Sequence, residues 1–320
     1  MRFIFFVAMF VALPKWAKGQ EVWFTPNVGS VDMLNLFTKP EQWTNARSQT
    51  THFQFYAGQI IYDDPAACTI CGNNVFPNFV AAGAFQKLQS WGIKTDVAVI
   101  VVKPGGYCTA DTTSPMALSA IQRIQSQGGA VTDLVFDEPY WGGHMMKKRG
   151  CQFKMPQSAD QVSAFTKIVR GQYPNTGFVE IEPYPAMGPL GHIRWINALM
   201  ARGVPIRAYQ LDVDYERLNM ADQTTVADLR HIRDYVKSKG LKFGMIYWAE
   251  RNTDQEYYTA AMNWISSSKA AVGVPDQIVF QSWAGLGFSN PRLVPSNLSE
   301  SKAYTHTNLL LNGLSRLLLP

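Results

Sequence analysis

The stretch Met116–Glu138, MALSAIQRIQSQGGAVTDLVFDE, carries a helix-like segment into a strand-like one across a pair of glycines. Apolar residues recur at helical spacing as far as Ile124, Gly128 and Gly129 stop the helix, and the apolar run VTDLVFDE follows with strand character. The same order recurs elsewhere. NFVAAGAFQKLQSWG and VADLRHIRDYVKSKG are amphipathic segments that close on glycine shortly before TDVAVIVVK (Thr95–Lys103) and KFGMIYWAE (Lys242–Glu250). Further strand-like runs are EVWFTPN (Glu21–Asn27), HFQFYAGQI (His52–Ile60), GFVEIEPY (Gly177–Tyr184), IRAYQLDVDY (Ile206–Tyr215) and QIVFQSW (Gln277–Trp283), which with VTDLVFDE (Val131–Glu138) make eight. Eight strand–helix units without an obvious linker predict an α/β fold, a single (β/α)8 TIM barrel occupying residues 20–320. A doubly wound sheet is the alternative, but no GxGxxG follows the first strand and no Walker-type loop is present.

Composition agrees with one large core: 47% of the 320 residues are hydrophobic and 17% charged. The formal charge of +5 is spread along the chain, and its densest run, Lys147–Arg149, suits a solvated loop better than a nucleic-acid groove. Residues 1–19 have the form of a signal peptide, with Arg2 ahead of an apolar run from Phe3 to Leu13 that is short for a membrane span. A mature chain starting near Gln20 or Glu21 would be secreted or periplasmic, with no membrane segment left after cleavage. In that setting four cysteines suggest disulfides more than metal ligation. Cys108 and Cys151 fall in loops that neighbour each other in a barrel, so a bridge between them is plausible. Cys68 and Cys71 form CTIC, alternatively a redox pair, and three pairings stay open. Asn297, in NLS, fits a glycosylation acceptor. Nothing in the sequence indicates an oligomeric state.

In a barrel the loops after the strand C-termini carry the site. Here those ends are acidic and aromatic: Asp137 and Glu138 on strand four, Glu180 and Glu182 on five, Asp212 and Asp214 on six with Glu216 beyond, Glu250 on seven and Trp283 on eight. Residues two apart share a face. Gln54 and Tyr56, Glu180 and Glu182, Gln210 with Asp212 and Asp214, Trp248 and Glu250, and Gln281 and Trp283 are thus expected to point into the lumen, because helices cover the outer face. Buried acids at this density cost free energy unless paired or used. A carboxyl that protonates a leaving oxygen, a second group that stabilises an oxocarbenium-like centre, and aromatic faces that stack on sugar rings together suit glycosidic bond chemistry on a carbohydrate, with no cofactor. Metal ligation is the competing use of acids, but HExxH is absent and the five histidines are scattered. His52, at the start of its strand, suits a structural role.

The FDEP ending strand four resembles the NEP of the retaining glycosidases of clan A. The resemblance covers most of the barrel as architecture, through motifs only a few residues long. It implies that Glu138 is the acid/base, that Glu250 in IYWAERN is the nucleophile, and that Trp283 in FQSW floors a sugar subsite; Gln54, Tyr56, Glu180, Glu182, Asp212, Asp214, Trp248 and Gln281 are then candidates for substrate binding. Asp137 stands where the clan has asparagine, and its charge would raise the pKa of Glu138. That departure also makes the Asp137–Glu138 pair similar to the pair of substrate-assisted N-acetylhexosaminidases. There the aspartate orients a 2-acetamido group that attacks the anomeric carbon, which would leave Glu250 a binding role. LDVDYE contains the DxDxE of chitinase-like enzymes at Asp212, Asp214 and Glu216, on strand six instead of four. A carbohydrate-binding barrel without catalysis is the non-enzymatic alternative. The plainer readings are ion pairing of Asp137 and Glu138 with Lys147–Arg149, bridging of Glu250 to Arg251, a hydrogen-bonded network for Glu180 and Glu182, and core packing for Trp248 and Trp283. Trp141 and His144 would then be loop residues without a specific task.

Overall fold

The computed structural model describes residues 19–146, 150–283 and 294–319, so most of the expected leader and the Lys147–Arg149 run lie outside the described residues. Eight parallel strands close into a barrel in the order β1-β2-β3-β4-β5-β6-β7-β8. They are β1 Glu21–Thr25, β2 His52–Tyr56, β3 Lys94–Val99, β4 Val131–Asp137, β5 Gly177–Tyr184, β6 Ile206–Val213, β7 Lys242–Tyr247 and β8 Gln277–Gln281. Every start falls within one residue of the sequence-based one, whereas most ends come earlier, because the polar C-terminal residues leave the ladder to form loops. In HFQFYAGQI the change is sharpest: the run turns helical at Ala57–Ile61, where Gln59 bonds back to the Tyr56 N–H. The principal helix after β3, Ala110–Ser126, and the one after β7, Asp254–Val272, start at Thr109 and Thr253, threonines at the N-terminal boundary whose side chains engage the first turn. None of the described helices is long and apolar enough to cross a membrane.

Two apolar layers hold the barrel. Phe24, Phe53, Phe55, Phe136, Phe178 and Phe280 point outward into the main core against the helices. Trp23, Ala98, Val135, Val179, Ile181, Ala208, Ile246 and Val279 fill the lumen. At the N-terminal end of the barrel a charge network closes the lumen. Arg207 forks onto both oxygens of Asp133 at 2.7 and 2.5 Å and also reaches Glu21 at 2.9 Å. Lys242 donates to Glu21 at 2.5 Å, while His52 binds Asp96 through Nδ1 at 2.7 Å and stacks on Trp23. His52, Asp96 and Asp133 bring ligand-type atoms within 4.8 Å of one another, but Arg207 already holds both oxygens of Asp133. His52 is thus structural, as its place at the start of β2 suggests.

Both cysteine pairs close as bridges, Cys68–Cys71 and Cys108–Cys151. The second ties the loop after β3 to the loop after β4. CTIC is a disulfide hairpin in a loop. Asn297 is fully buried, and its Nδ2 donates to Ser30 and Asp32 at 2.8 Å each. That corrects the glycosylation reading: the amide is a structural donor with no room for a glycan.

Candidate active site

At the C-terminal ends of the strands lies a cavity of about 430 Å³ lined by Asp137, Glu138, Trp141, Asp212, Asp214, Trp248 and Trp283, with Pro183–Ala186 and Arg217 completing it. β4 delivers Asp137 from its last position and Glu138 from the first residue beyond. Glu138 has φ of 51°, and Val102, next to Lys103 in the loop after β3, has φ of 56°. Two non-glycine residues in the left-handed region, one of them β-branched, cost on the order of 1–3 kcal/mol each. They flank one ion pair. Lys103 Nζ lies 3.0 Å from Asp137 Oδ2 and 3.2 Å from Glu138 Oε2. Gly142 permits this approach, since a Cβ there would sit 2.9 Å from the Val102 carbonyl oxygen and 3.1 Å from Lys103 Cγ. The Cys108–Cys151 bridge links the same two loops.

Burial is the largest influence on Glu138 and raises its pKa; Asp137 raises it further, while Lys103 and a hydrogen bond with Asp212 hold it down. Asp212 is raised well above its ordinary value, first by burial and then by the Glu138 charge, against the pull of a 2.6 Å bond from Trp248 Nε1. Two touching carboxyls in a buried site do not both ionise near neutrality. Burial and their mutual charge therefore favour the protonated form of the pair. Asp214 is paired with Arg217 at 2.7 Å. Tyr56, at the end of β2, accepts from Gln281 Nε2 at 3.1 Å, and burial raises its pKa.

The expected inward direction holds for β2, β6 and β8 and for Trp248 just after β7, and fails on β5. Val179 and Ile181 fill the lumen, so Glu180 and Glu182 lie on the opposite face, with Phe178 and Tyr184. Trp195, in the helix Pro189–Met200, donates its indole N–H to Glu180 Oε1 at 2.6 Å. Glu182 accepts the backbone N–H groups of Tyr140 and Trp141 at 2.5 and 3.1 Å. Acids appear on this covered face because donors from the helix layer and from the β4 loop end there. Both carboxyls have raised pKa values, chiefly through burial, and they hydrogen-bond to each other. Neither lines the cavity. Glu182 instead fixes the backbone immediately after Glu138, whose own N–H donates to Ile181 O at 3.2 Å.

Glu250 is half-buried in the segment after β7 and does not line the cavity; Arg251 donates to its backbone carbonyl. Gln54 lies fully buried in the lumen, and neither it nor Gln281 reaches the cavity wall. Glu216, the acid of the DxDxE reading, is paired with Arg251, away from the cavity. His144 stacks on Tyr140 and bonds to the Phe153 carbonyl. Lys103 and Arg217 were not distinguished in the sequence. Lys103 ends the run TDVAVIVVK, a cation at the same barrel end as eight acids, which is the signal that would have marked it.

No family model and no curated protein matches the chain in sequence. Its structure is similar to the catalytic domain of the Bacillus sp. JAMB-750 GH26 endo-β-1,4-mannanase, with TM-score 0.57 and 14% identity over 93% of this chain and 85% of that one. It is also similar to the Ignisphaera aggregans GH53 catalytic domain, with TM-score 0.55 and 12% identity over 94% and 97% of the two chains. A third likeness is to active domain 2 of the chitinase from Pyrococcus furiosus, with TM-score 0.51 and 15% identity over 95% and 98%. Each likeness runs through nearly the whole chain, and what is shared is the (β/α)8 barrel.

Proposed function

We propose that the protein is an exported glycoside hydrolase in which Glu138 donates the proton to the leaving oxygen. One observation carries this reading: Glu138, with its pKa raised by burial and by Asp137, touches Asp212 in a cavity lined by three tryptophans. A proton held near neutrality is what a general acid needs, and aromatic faces suit sugar rings. Barrels of the same fold include a mannanase and a chitinase. Two disulfides suit an oxidising compartment, and with residues 1–19 read as a leader the barrel from residue 20 onward would be the mature enzyme.

For the nucleophile, the cavity favours the substrate's own 2-acetamido oxygen over Glu250. Glu250 does not line the cavity, and Asp212 touches Glu138, whereas a retaining pair stands about 5–5.5 Å apart. In this mechanism the acetamido oxygen attacks the anomeric carbon as the glycosidic C–O bond breaks, and the leaving oxygen takes the Glu138 proton. Asp137, with one oxygen on Lys103, accepts the acetamido N–H. Water then attacks the same carbon as its bond to the acetamido oxygen breaks, which restores the acetamide, and the water gives up its proton to Glu138. The test is hydrolysis of a glycan panel that pairs 2-acetamido with 2-hydroxy sugars, using wild type, Glu138→Gln, Asp137→Asn and Glu250→Gln. We expect cleavage of 2-acetamido substrates only, lost in the first two variants and kept in Glu250→Gln. Full activity of Glu138→Gln sinks the hydrolase reading, and loss in Glu250→Gln restores an enzyme nucleophile.

A further inference from the structure

A second cavity, of about 350 Å³, adjoins the first and shares Asp137 and Trp283 with it. Its chemistry is different. Where the first cavity gathers four carboxylates, Asp137 is the single charged residue among the described residues lining the second. The loop after β2 forms one side with Ile61, Ile70 and the Cys68–Cys71 bridge, and Ile100 and Met116 form the other. The bridge is seated on Gly58, where a Cβ would meet Cys68 Sγ at 3.4 Å and Cys71 Sγ at 3.7 Å, so this side is fixed by close packing. Ile70 is 54% exposed, and Ile61, Ile100 and Met116 are only partly covered.

A sugar ring carries hydroxyls around its whole rim and needs polar partners on several sides. This cavity offers aliphatic side chains, a disulfide and tyrosine rings, with the Tyr56 hydroxyl already engaged by Gln281. Partly exposed apolar walls gain roughly 25 cal/mol per Å² when an apolar group covers them. Asp137, common to both cavities, shares Lys103 with Glu138, so the second cavity lies next to the residue pair that ends β4.

We infer that this second cavity binds an apolar, planar aglycone attached to the leaving oxygen, so that the substrate is a glycoside of an aromatic or similarly apolar alcohol. The inference rests on Glu138 being the proton donor, but the occupancy of the cavity can be tested separately. Binding of 4-methylumbelliferone, followed by its fluorescence, reports on the cavity without any hydrolysis. Wild type is expected to bind it saturably, and Glu138→Gln, which lacks the donor proton, to bind it as well. Ile70→Asp, a change at an exposed position, should weaken binding by about ten-fold, the effect of about 1.4 kcal/mol, with its melting temperature unchanged. In turnover, the 4-methylumbelliferyl glycoside of the accepted sugar should have a lower KM than the matching disaccharide, and Ile70→Asp should remove that advantage. Absence of saturable probe binding, or equal binding by wild type and Ile70→Asp, overturns the aglycone cavity. Saturable binding without cleavage of any glycoside leaves the cavity standing and removes the hydrolase reading instead. Equal preference for disaccharides identifies the cavity as a second sugar subsite and overturns the inference.

Discussion

The two ends of the barrel lumen each hold a cluster of acids, and they are built on opposite terms. At the N-terminal end, Glu21, Asp96 and Asp133 meet Arg207, Lys242 and His52. Burial alone would raise Glu21, but Lys242, His52 and Arg207 pull it down to about 2, while burial raises Asp96 to about 6 against the pull of His52. At the C-terminal end Asp137, Glu138, Asp212 and Asp214 have two cations, Lys103 and Arg217, and the touching pair stays raised. A buried ion pair with good geometry is a closed structural device, whereas acids in excess of cations keep a proton that can be given away. The same residue types thus make a plug at one end and, in the proposed mechanism, a proton donor at the other.

That contrast breaks first at Glu138. Glu138→Gln should lower turnover on substrates with a poor leaving group by about 10²–10⁴-fold, the usual worth of a general acid. Its melting temperature should stay level or rise, since one of two touching acids is removed. Arg207→Met should do the reverse. Stripping the guanidinium from Asp133 and Glu21 leaves buried charge uncompensated, at a cost of about 3–5 kcal/mol in denaturant unfolding, with kcat retained in the folded fraction. If Arg207→Met lowers kcat as strongly as stability, the two clusters are coupled and the division drawn here fails.

The next effect is tied to pH. A carboxylate depressed from its ordinary value to about 2 stabilises the fold fully above that ordinary value, and the contribution is lost as pH falls through about 2. Glu21→Gln should therefore cost about 3 kcal/mol at pH 7, at roughly 1.4 kcal/mol per unit of pKa, and nothing near pH 2. A cost independent of pH would mean that Glu21 acts through packing. Glu182→Gln is expected to be milder, on the order of ten-fold in kcat, because an amide replaces one acceptor of the Tyr140 and Trp141 N–H groups. Its distinguishing mark is the split between constants: Glu182 lies off the cavity wall, so kcat should fall with KM little changed.

The barrel was legible because its signal is repetitive: eight apolar runs and glycine-closed helices each report the same unit, and an error in one does not change the count. Asp212 was legible for a related reason, since it lies inside a strand whose alternation is unambiguous, whereas Asp137 and Glu138 stood out as adjacent acids at a strand end. Glu180 and Glu182 were misread because the rule that covered faces are apolar cannot anticipate a buried acceptor for the Trp195 indole and for two loop amides. Those donors come from elsewhere in the chain. Glu250 belongs to the same class of error: β7 ends at Tyr247, three residues before it, and beyond a strand end parity no longer fixes direction. Lys103 was passed over because its partners lie 34 and 35 residues away, brought to it by neighbouring strands and a left-handed turn at Val102.

Lys103 gives the subtlest test, because its effect is read in the pH profile alone. In the proposed mechanism Glu138 is the general acid and must be protonated, so kcat/KM falls as pH rises through its pKa. Lys103 favours the charged form of Glu138 and thus holds that pKa down against burial and Asp137. Lys103→Met removes the cation and leaves Asp137 to repel Glu138 unopposed. Both changes act in one direction, and the alkaline limb should move to higher pH, with thermal stability altered little because Asp137 is half-exposed. Lys103→Arg should keep the limb near its wild-type position if charge is what matters, even where the longer fork lowers kcat. A shift of Lys103→Met to lower pH would assign the alkaline limb to a group other than Glu138, and with it the proton that sets the C-terminal cluster apart from the N-terminal one.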